Sequence, residues 1–275
     1  MTININTTTK PTWCPGCFNY QTLAGIKSAL TKSVKKKEDI AIVTGIGCFP
    51  KIFDYLNLNG INTLHGRVPP TCLGIKIGNP NLTVLGFSGD GDAYAEGIEH
   101  TIHAARYNSD FKYIVSNNQV FALTVGQPTP TTELGFTDKT TPLGVKTQPI
   151  NPIKLMLASG ASFVARVSAD TKQVEYVMDE ALKHKGFAFI EILQPCITFH
   201  PDLEYKNKIY SLEKNKHNKT DFNEAWKRAE EFDYNTAKKI PIGIFYQVTK
   251  PVFEEQFPQL MELKKKKIGW KNIGR

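Results

Sequence analysis

The chain has 275 residues, 41% of them apolar, which is enough for one large domain or two small ones with a real core. No run approaches the ~20 apolar residues a membrane span needs. The start "MTININTTTKPTW" has no charged segment leading into an apolar one, so a soluble, cytoplasmic protein is expected. The formal charge of +8 is concentrated in "KSVKKKED" and in "LKKKKIGWK". Such runs are first solvated faces and only second a lure for an acidic partner or a phosphorylated cofactor. No zinc-finger, homeodomain or stacking-platform signature supports nucleic acid.

In chain order, residues 20–34 read as a helix and Ile40–Thr44 ("IAIVT") as a buried strand. "LTVLGFSG" from Leu82 is a second strand, followed by helical spacing from about Ala93 to Arg106. "FKYIVSNN" is a third strand, "PIKLMLASG" a short helix ended by Gly160, and "SFVARVS" a further strand. A helix from Thr171 to Lys183 and the strand "FAFIEIL" follow. Short apolar strands alternating with helical patterns predict a doubly wound α/β domain on a mostly parallel sheet covered on both faces. Residues 119–150, rich in Thr, Pro and Gly, are too long for an idle connection and are expected to form an active-site loop. From Cys196 the periodicity fades. The expected division is therefore a domain over 1–200, opening with a cysteine-bearing arm, and an irregular extension over 201–275 packed on the domain or on a partner.

"GFSGDGDAYAEG" places Asp90 and Asp92 among glycines where a buried strand gives way to a helix. In open α/β sheets ligands bind beyond the carboxyl ends of strands, where helix N-termini offer free N–H groups to phosphates. The next strand ends in Asn117 and Asn118, so neighbouring strand ends can bring a carboxylate and an amide oxygen to one point. Hard oxygen ligands suit Mg²⁺, which bridges a diphosphate and keeps some of its water. Gly-Asp-Gly followed by Asn-Asn resembles the pattern of thiamine diphosphate enzymes. That resemblance implies Asp90, Asn118 and the carbonyl of Val120 as Mg²⁺ ligands, with Gly91 and Asp92 against the diphosphate.

Cys14 and Cys17 form "WCPGC", Cys48 follows the first strand and Cys196 follows "FAFIEIL". All four can converge on the sheet edge that bears Asp90, and four cysteines fit structural zinc or a 4Fe–4S cluster. Cys72 reads as a small core residue. His100 and His103, spaced i,i+3, read as helix packing or exposure ahead of a metal site.

The ordered set "WCPGC", "GIGC", "LHGR", "GDGDA", "HTIHAARYN", "NNQVFALTVGQPTPTT", "PCITF" and "IPIGIFYQ" resembles the β subunit of 2-oxoacid:ferredoxin oxidoreductases from about residue 11 to 258. The resemblance implies a 4Fe–4S cluster on Cys14, Cys17, Cys48 and Cys196. It also implies thiamine contacts from Ile46, Gly47, Cys48, Phe49, His65, Ala122, Leu123 and Thr124. The activity it implies is CoA-dependent oxidative decarboxylation of a 2-oxoacid, with electrons passed through the cluster to ferredoxin. An α subunit would supply the carboxylate that activates thiamine, giving a heterodimer or a dimer of heterodimers. Two positions depart from the family: Phe18 and Val125 stand where relatives usually carry Gly, and Lys or Gly. The competing expectations are a non-oxidative thiamine-dependent decarboxylase or synthase component and a non-catalytic, zinc-stabilised phosphate-binding module.

Overall fold

The computed structural model describes residues 3–33, 35–235 and 239–266. Residue 34, at the end of the first expected helix, and 267–275, most of the Lys-rich tail, lie outside the described residues. Ten strands alternate with seven α-helices among the described residues. Eight of the strands form one sheet: β1 (Ile40–Thr44), β2 (Asn59–Asn62), β3 (Thr83–Gly89), β4 (Phe111–Asn117), β7 (Phe163–Ser168), β8 (Ala188–Leu193), β9 (Ile209–Ser211) and β10 (Ile240–Gln247). Their order across it is β2-β1-β3-β4-β8-β7-β10-β9. The first six run parallel, whereas β10 pairs antiparallel with β7 and parallel with β9. β5 (Val120–Phe121) and β6 (Gln127–Pro128) make a separate hairpin.

Every residue of β1, β4 and β8 is buried, as continuous apolar runs in a doubly covered sheet require. One face carries α1 (Asn19–Lys32) and α5 (Thr171–Lys183) over Ile42, Leu85, Phe87 and Ile190. In α5, Asp170 caps the first turn by accepting from the backbone N–H of Lys172 and Gln173. Val174, Val177, Met178 and Ala181 then bury one stripe. The other face carries α2 (Val68–Gly78), α3 (Ile98–Tyr107), α4 (Pro152–Ala158) and α6 (Phe222–Ala229).

Three elements differ from the sequence expectation. The helix expected from Ala93 is broken: Asp92–Glu96 form a wider, π-type turn, and α3 begins only after Gly97. α2, where the sequence pattern predicts no element, opens at Val68 with Pro69 and Pro70 in its first turn, tolerated because first-turn N–H groups lack helical partners anyway. The stretch after Cys196 is less irregular than expected, because β9 and β10 extend the sheet, α6 covers one face and α7 (Pro258–Lys266) follows. Buried Glu254, just before α7, accepts from the backbone N–H of Asp110 and from the Ser109 hydroxyl, anchoring this stretch at the start of β4.

Candidate active site

Parallel register places Gly89 of β3 opposite Ser116 of β4, so Asp90 and Asn117–Asn118 leave neighbouring strands at the same edge. Asp90 is only 2% exposed. Its Oδ2 accepts from the Thr129 hydroxyl at 2.6 Å, and the Thr131 hydroxyl lies 3.0 Å away. These partners are uncharged. Burial pushes the Asp90 carboxyl up to about 6, while the two hydroxyls and the Asn118 N–H act in the opposite sense. A buried carboxylate whose neighbours are neutral dipoles fits a hard cation at that point.

The two asparagines face different ways. Asn117 is buried and donates through Nδ2 to Glu191 at 2.8 Å, whereas Asn118 lines the cavity at the strand ends. Gln119 has φ +60°, the left-handed turn that separates Asn118 from the hairpin. Asn118 Oδ1 accepts from the Val120 N–H at 3.1 Å. Pro128 stands opposite Val120 and has no N–H to give its carbonyl.

The cavity gathers the expected residues from four elements. Ile46, Gly47, Cys48 and Phe49 come from the loop after β1, and His65 from the loop after β2. Asp90, Gly91 and Asp92 form the corner, while Val120, Ala122, Leu123 and Thr124 come from the hairpin. Gly91 has a packing role: a Cβ there would lie 2.1 Å from the Phe121 ring. Gly89, by contrast, has nothing within 4 Å of its Cβ direction. Asp92 acts as a tie. Its Oδ1 accepts from the Gly66 N–H at 2.8 Å and meets His65 Nδ1 at 3.0 Å, fixing the "LHGR" loop to the corner. Gly45 must lack a side chain because its Cβ would fall 1.9 Å from Asp92 Oδ2.

A second cavity of about 230 Å³ is lined by Cys14, Cys17, Cys48 and Cys196. Asn19, Cys48, Asn118, Ala122, Leu123 and Gln194 line both cavities and form the wall between them. Burial, then the sulfurs of Cys196, Cys17 and Cys14, push the Cys48 thiol up to about 11. One zinc ion needs its sulfurs at ~2.3 Å from a single centre. Among the described residues no group of three or more His, Cys, Asp or Glu side chains is placed to hold a metal ion as they stand. Four thiols lining one volume offer a donor set that zinc or a polynuclear cluster could use. Cys72 lies fully buried on the inner face of α2 and does not line this cavity.

His100 lies against Arg67, and His103 stacks on Tyr107, so neither of them points to a metal. Phe18 has helical backbone angles open to any residue, so the Gly-to-Phe departure leaves this turn intact. Val125 has φ +72°, unusual for a β-branched residue, and is exposed beside the cysteine cavity.

Sequence reasoning missed the support behind Asp90. Thr131 bridges Asp90 and Asn117 Oδ1, and Asn117 continues to Glu191. Glu191 is fully buried, paired with Arg166 at 2.7 Å and bonded to the Tyr234 hydroxyl. The run "PTPTT" signalled clustered hydroxyls; a glutamate inside an apolar strand, "FAFIEIL", was the other available sign.

A doubly wound sheet with a buried acid–amide corner at its carboxyl edge defines a diphosphate-cofactor site of the thiamine type. Comparison agrees, since residues 45–192 match the family "Thiamine pyrophosphate enzyme, C-terminal TPP binding domain". Residues 196–262 match the family of the C-terminal region of the pyruvate ferredoxin oxidoreductase β subunit. The chain is 39% identical over 251 residues to the 2-oxoacid:ferredoxin oxidoreductase subunit beta of Saccharolobus solfataricus, covering 86% of this chain and 81% of that one. It is 34% identical to the 2-oxoglutarate synthase subunit KorB of Archaeoglobus fulgidus, covering 95% and 94%. A solved 2-oxoglutarate:ferredoxin oxidoreductase from Magnetococcus marinus, with 2-oxoglutarate, coenzyme A and succinyl-CoA bound, superposes with TM-score 0.86 at 29% identity, covering 98% of this chain and 91% of that one. The chain belongs to the family of 2-oxoacid:ferredoxin oxidoreductase β subunits and is an oxidoreductase subunit.

Proposed function

We propose that this β subunit holds thiamine diphosphate with one Mg²⁺ at the Asp90 corner and a 4Fe–4S cluster on Cys14, Cys17, Cys48 and Cys196. The observation that carries the reading is the shared wall: a buried, uncompensated carboxylate lies on one side and four thiols on the other. Asp90, Asn118 and the Val120 carbonyl would hold the metal. Ile46, Gly47, Phe49, His65, Gly91, Ala122, Leu123 and Thr124 would shape the cofactor pocket and exclude water. Asp92 keeps His65 and Gly66 in place. When bound, thiamine supplies the electron sink for decarboxylation of a 2-oxoacid, and the cluster supplies one-electron transfer.

The overall reaction is oxidation of a 2-oxoacid with coenzyme A to acyl-CoA and carbon dioxide, with ferredoxin as acceptor. The subunit works with an α subunit in the cytoplasm, as a heterodimer or a dimer of heterodimers. Among the described residues no helix is long and apolar enough to cross a membrane. The test is anaerobic co-expression with the α subunit, followed by iron, sulfide and thiamine analysis and assay of several 2-oxoacids. About four irons and four sulfides at these cysteines, with ferredoxin reduction, support the reading. One zinc without iron, or decarboxylation without electron transfer, overturns it.

A further inference from the structure

Gln194 leaves the end of β8 beside the Asp90 corner and is only 3% exposed. Its backbone N–H donates to the Asn117 carbonyl at 2.9 Å, fixing the residue to the end of β4. Its side-chain Oε1 accepts from the Ser116 hydroxyl at 2.8 Å, and its Nε2 donates to Cys17 Sγ at 3.8 Å. A serine hydroxyl can donate or accept, so it is the sulfur, an acceptor once Cys17 is a thiolate, that takes the N–H₂ end, while Ser116 holds the other end by donating to Oε1. Ser116 lines the first cavity and Cys17 the second, so this bridge crosses the wall between them.

Asn19 stands beside it, 1% exposed and lining both cavities. Burial pushes the Cys17 thiol up, and the Asn19 N–H and side chain act in the opposite sense. Asn19 Oδ1 is buried with no hydrogen-bond partner. The other sulfur contacts are peripheral. The Thr198 hydroxyl donates to Cys14 Sγ at 3.6 Å, and the Phe199 N–H donates to Cys196 Sγ at 3.4 Å. Gln194 and Asn19 reach Cys17 from the wall of the first cavity, whereas Thr198 and Phe199 do not line that cavity.

We propose that Gln194, oriented by Ser116, is a positioning residue that raises the reduction potential of the cluster by directing an N–H dipole at Cys17 on the side facing the thiamine cavity. The inference rests on the cluster assignment made above. Reduction adds negative charge that spreads onto the sulfurs, so a fixed donor stabilises the reduced form more than the oxidised one. The donor is anchored in the strand that also ends at the metal corner, so the cluster and the thiamine pocket share one frame.

The test is a redox titration of the complex with its α subunit, purified anaerobically and followed by electron paramagnetic resonance, with iron and sulfide counted in each variant. Gln194→Leu should lower the cluster's reduction equilibrium about tenfold, which is about 59 mV for a one-electron couple. Gln194→Glu, which keeps size and shape but presents oxygen to the sulfur, should lower it further. Ser116→Ala should produce a smaller shift of the same sign. Should Gln194→Leu lose its cluster, Gln194→Glu decides alone. An unshifted potential in a variant with full iron content overturns the inference. Wild-type complex without iron and sulfide in this subunit overturns the cluster assignment and the inference together.

Discussion

The indole Nε1 of Trp13 donates to the backbone carbonyl of Cys48 at 2.6 Å, tying the N-terminal arm to the loop after β1. The ring is held edge-on between Tyr20 and Tyr55, with centroids at 5.5 and 4.7 Å. The arm that carries Cys14 and Cys17 is thus located relative to Cys48 by one hydrogen bond and two aromatic contacts. Trp13→Phe keeps an aromatic ring but deletes the donor, leaving a part-buried carbonyl unpaired at a cost of about 1–3 kcal/mol. The expected outcome is faster bleaching of the visible absorbance under an iron chelator, at nearly native circular dichroism. Bleaching at the wild-type rate would show that the arm is held by other means.

The buried carboxylate of Asp90 works against stability. Its carboxyl is pushed up to about 6 from an ordinary 3.8, because burial costs the charged form more than the threonine hydroxyls and the Asn118 N–H return. At pH 7, with no cation present, that shift corresponds to a destabilisation of at most about 3 kcal/mol. Asp90→Asn should therefore raise the melting temperature of metal-free protein, while weakening Mg²⁺-dependent thiamine diphosphate binding by at least tenfold. Calorimetry with and without Mg²⁺ reads both. Cofactor affinity that survives the substitution at limiting Mg²⁺ would remove Asp90 from the metal site.

The parallel core was legible because β1, β4 and β8 are buried on both faces and so appear as unbroken apolar runs. β2 was not legible: all of Asn59–Asn62 is exposed at the sheet edge, leaving no apolar pattern to read. β10 was hidden by its own break in register, a bulge between Ile244 and Tyr246, and by the polar stretch before it. Within the site, local motifs marked the residues that line the cavity. The residues that hold them are distant in sequence: Thr131 is 41 positions from Asp90, and Gln194 is 177 from Cys17. Only folding joins them, so no spacing announces them.

His184 predicts a pH effect far from the site. It ends α5 and approaches the Ser162 hydroxyl at 2.8 Å through Nε2. Burial, followed by the nearby Lys112 ammonium, holds its imidazole down to about 4 from an ordinary 6.5, with Asp110 opposing. The folded state thus prefers neutral His184, and below about 6.5 the unfolded chain binds the extra proton. Its contribution is present above that pH and is lost as pH falls toward 4. His184→Gln should flatten the decline of urea midpoint between pH 6.5 and 4.5, about where wild type loses stability. Parallel wild-type and variant curves would refute this.

Gly91→Ala tests the packing of the corner. The new methyl would lie 2.1 Å from Phe121 Cε1, so the ring must move, and with it the hairpin that carries Ala122, Leu123 and Thr124. Overpacking of this kind costs about 1–3 kcal/mol. Thiamine diphosphate affinity should fall about tenfold or more, the equivalent of at least ~1.4 kcal/mol. Pairing it with Phe121→Ala, which clears the space, should restore part of the lost stability. A single variant with native stability and affinity would show that the ring has room to retreat.

The cavity at the sheet edge contains aspartates, Asp90 and Asp92, but no glutamate. Both aspartates are engaged, one with threonine hydroxyls and the other with the His65–Gly66 loop. Neither is free to activate an aminopyrimidine. Leu64, next to His65, and Val125, beside the cysteine cavity, are 78% and 64% exposed, apolar side chains suited to burial against another subunit. The chain purified alone should therefore fold and incorporate its cluster, yet fail to decarboxylate pyruvate, 2-oxoglutarate or a branched 2-oxoacid. Adding the α subunit should restore turnover and protect residues 120–132 from hydrogen exchange. Introducing charge with Val125→Asp should weaken that assembly, measured as a higher dissociation constant in sedimentation. Turnover by the isolated polypeptide, without any partner, would place the activating carboxylate within this chain and end the argument for a shared site.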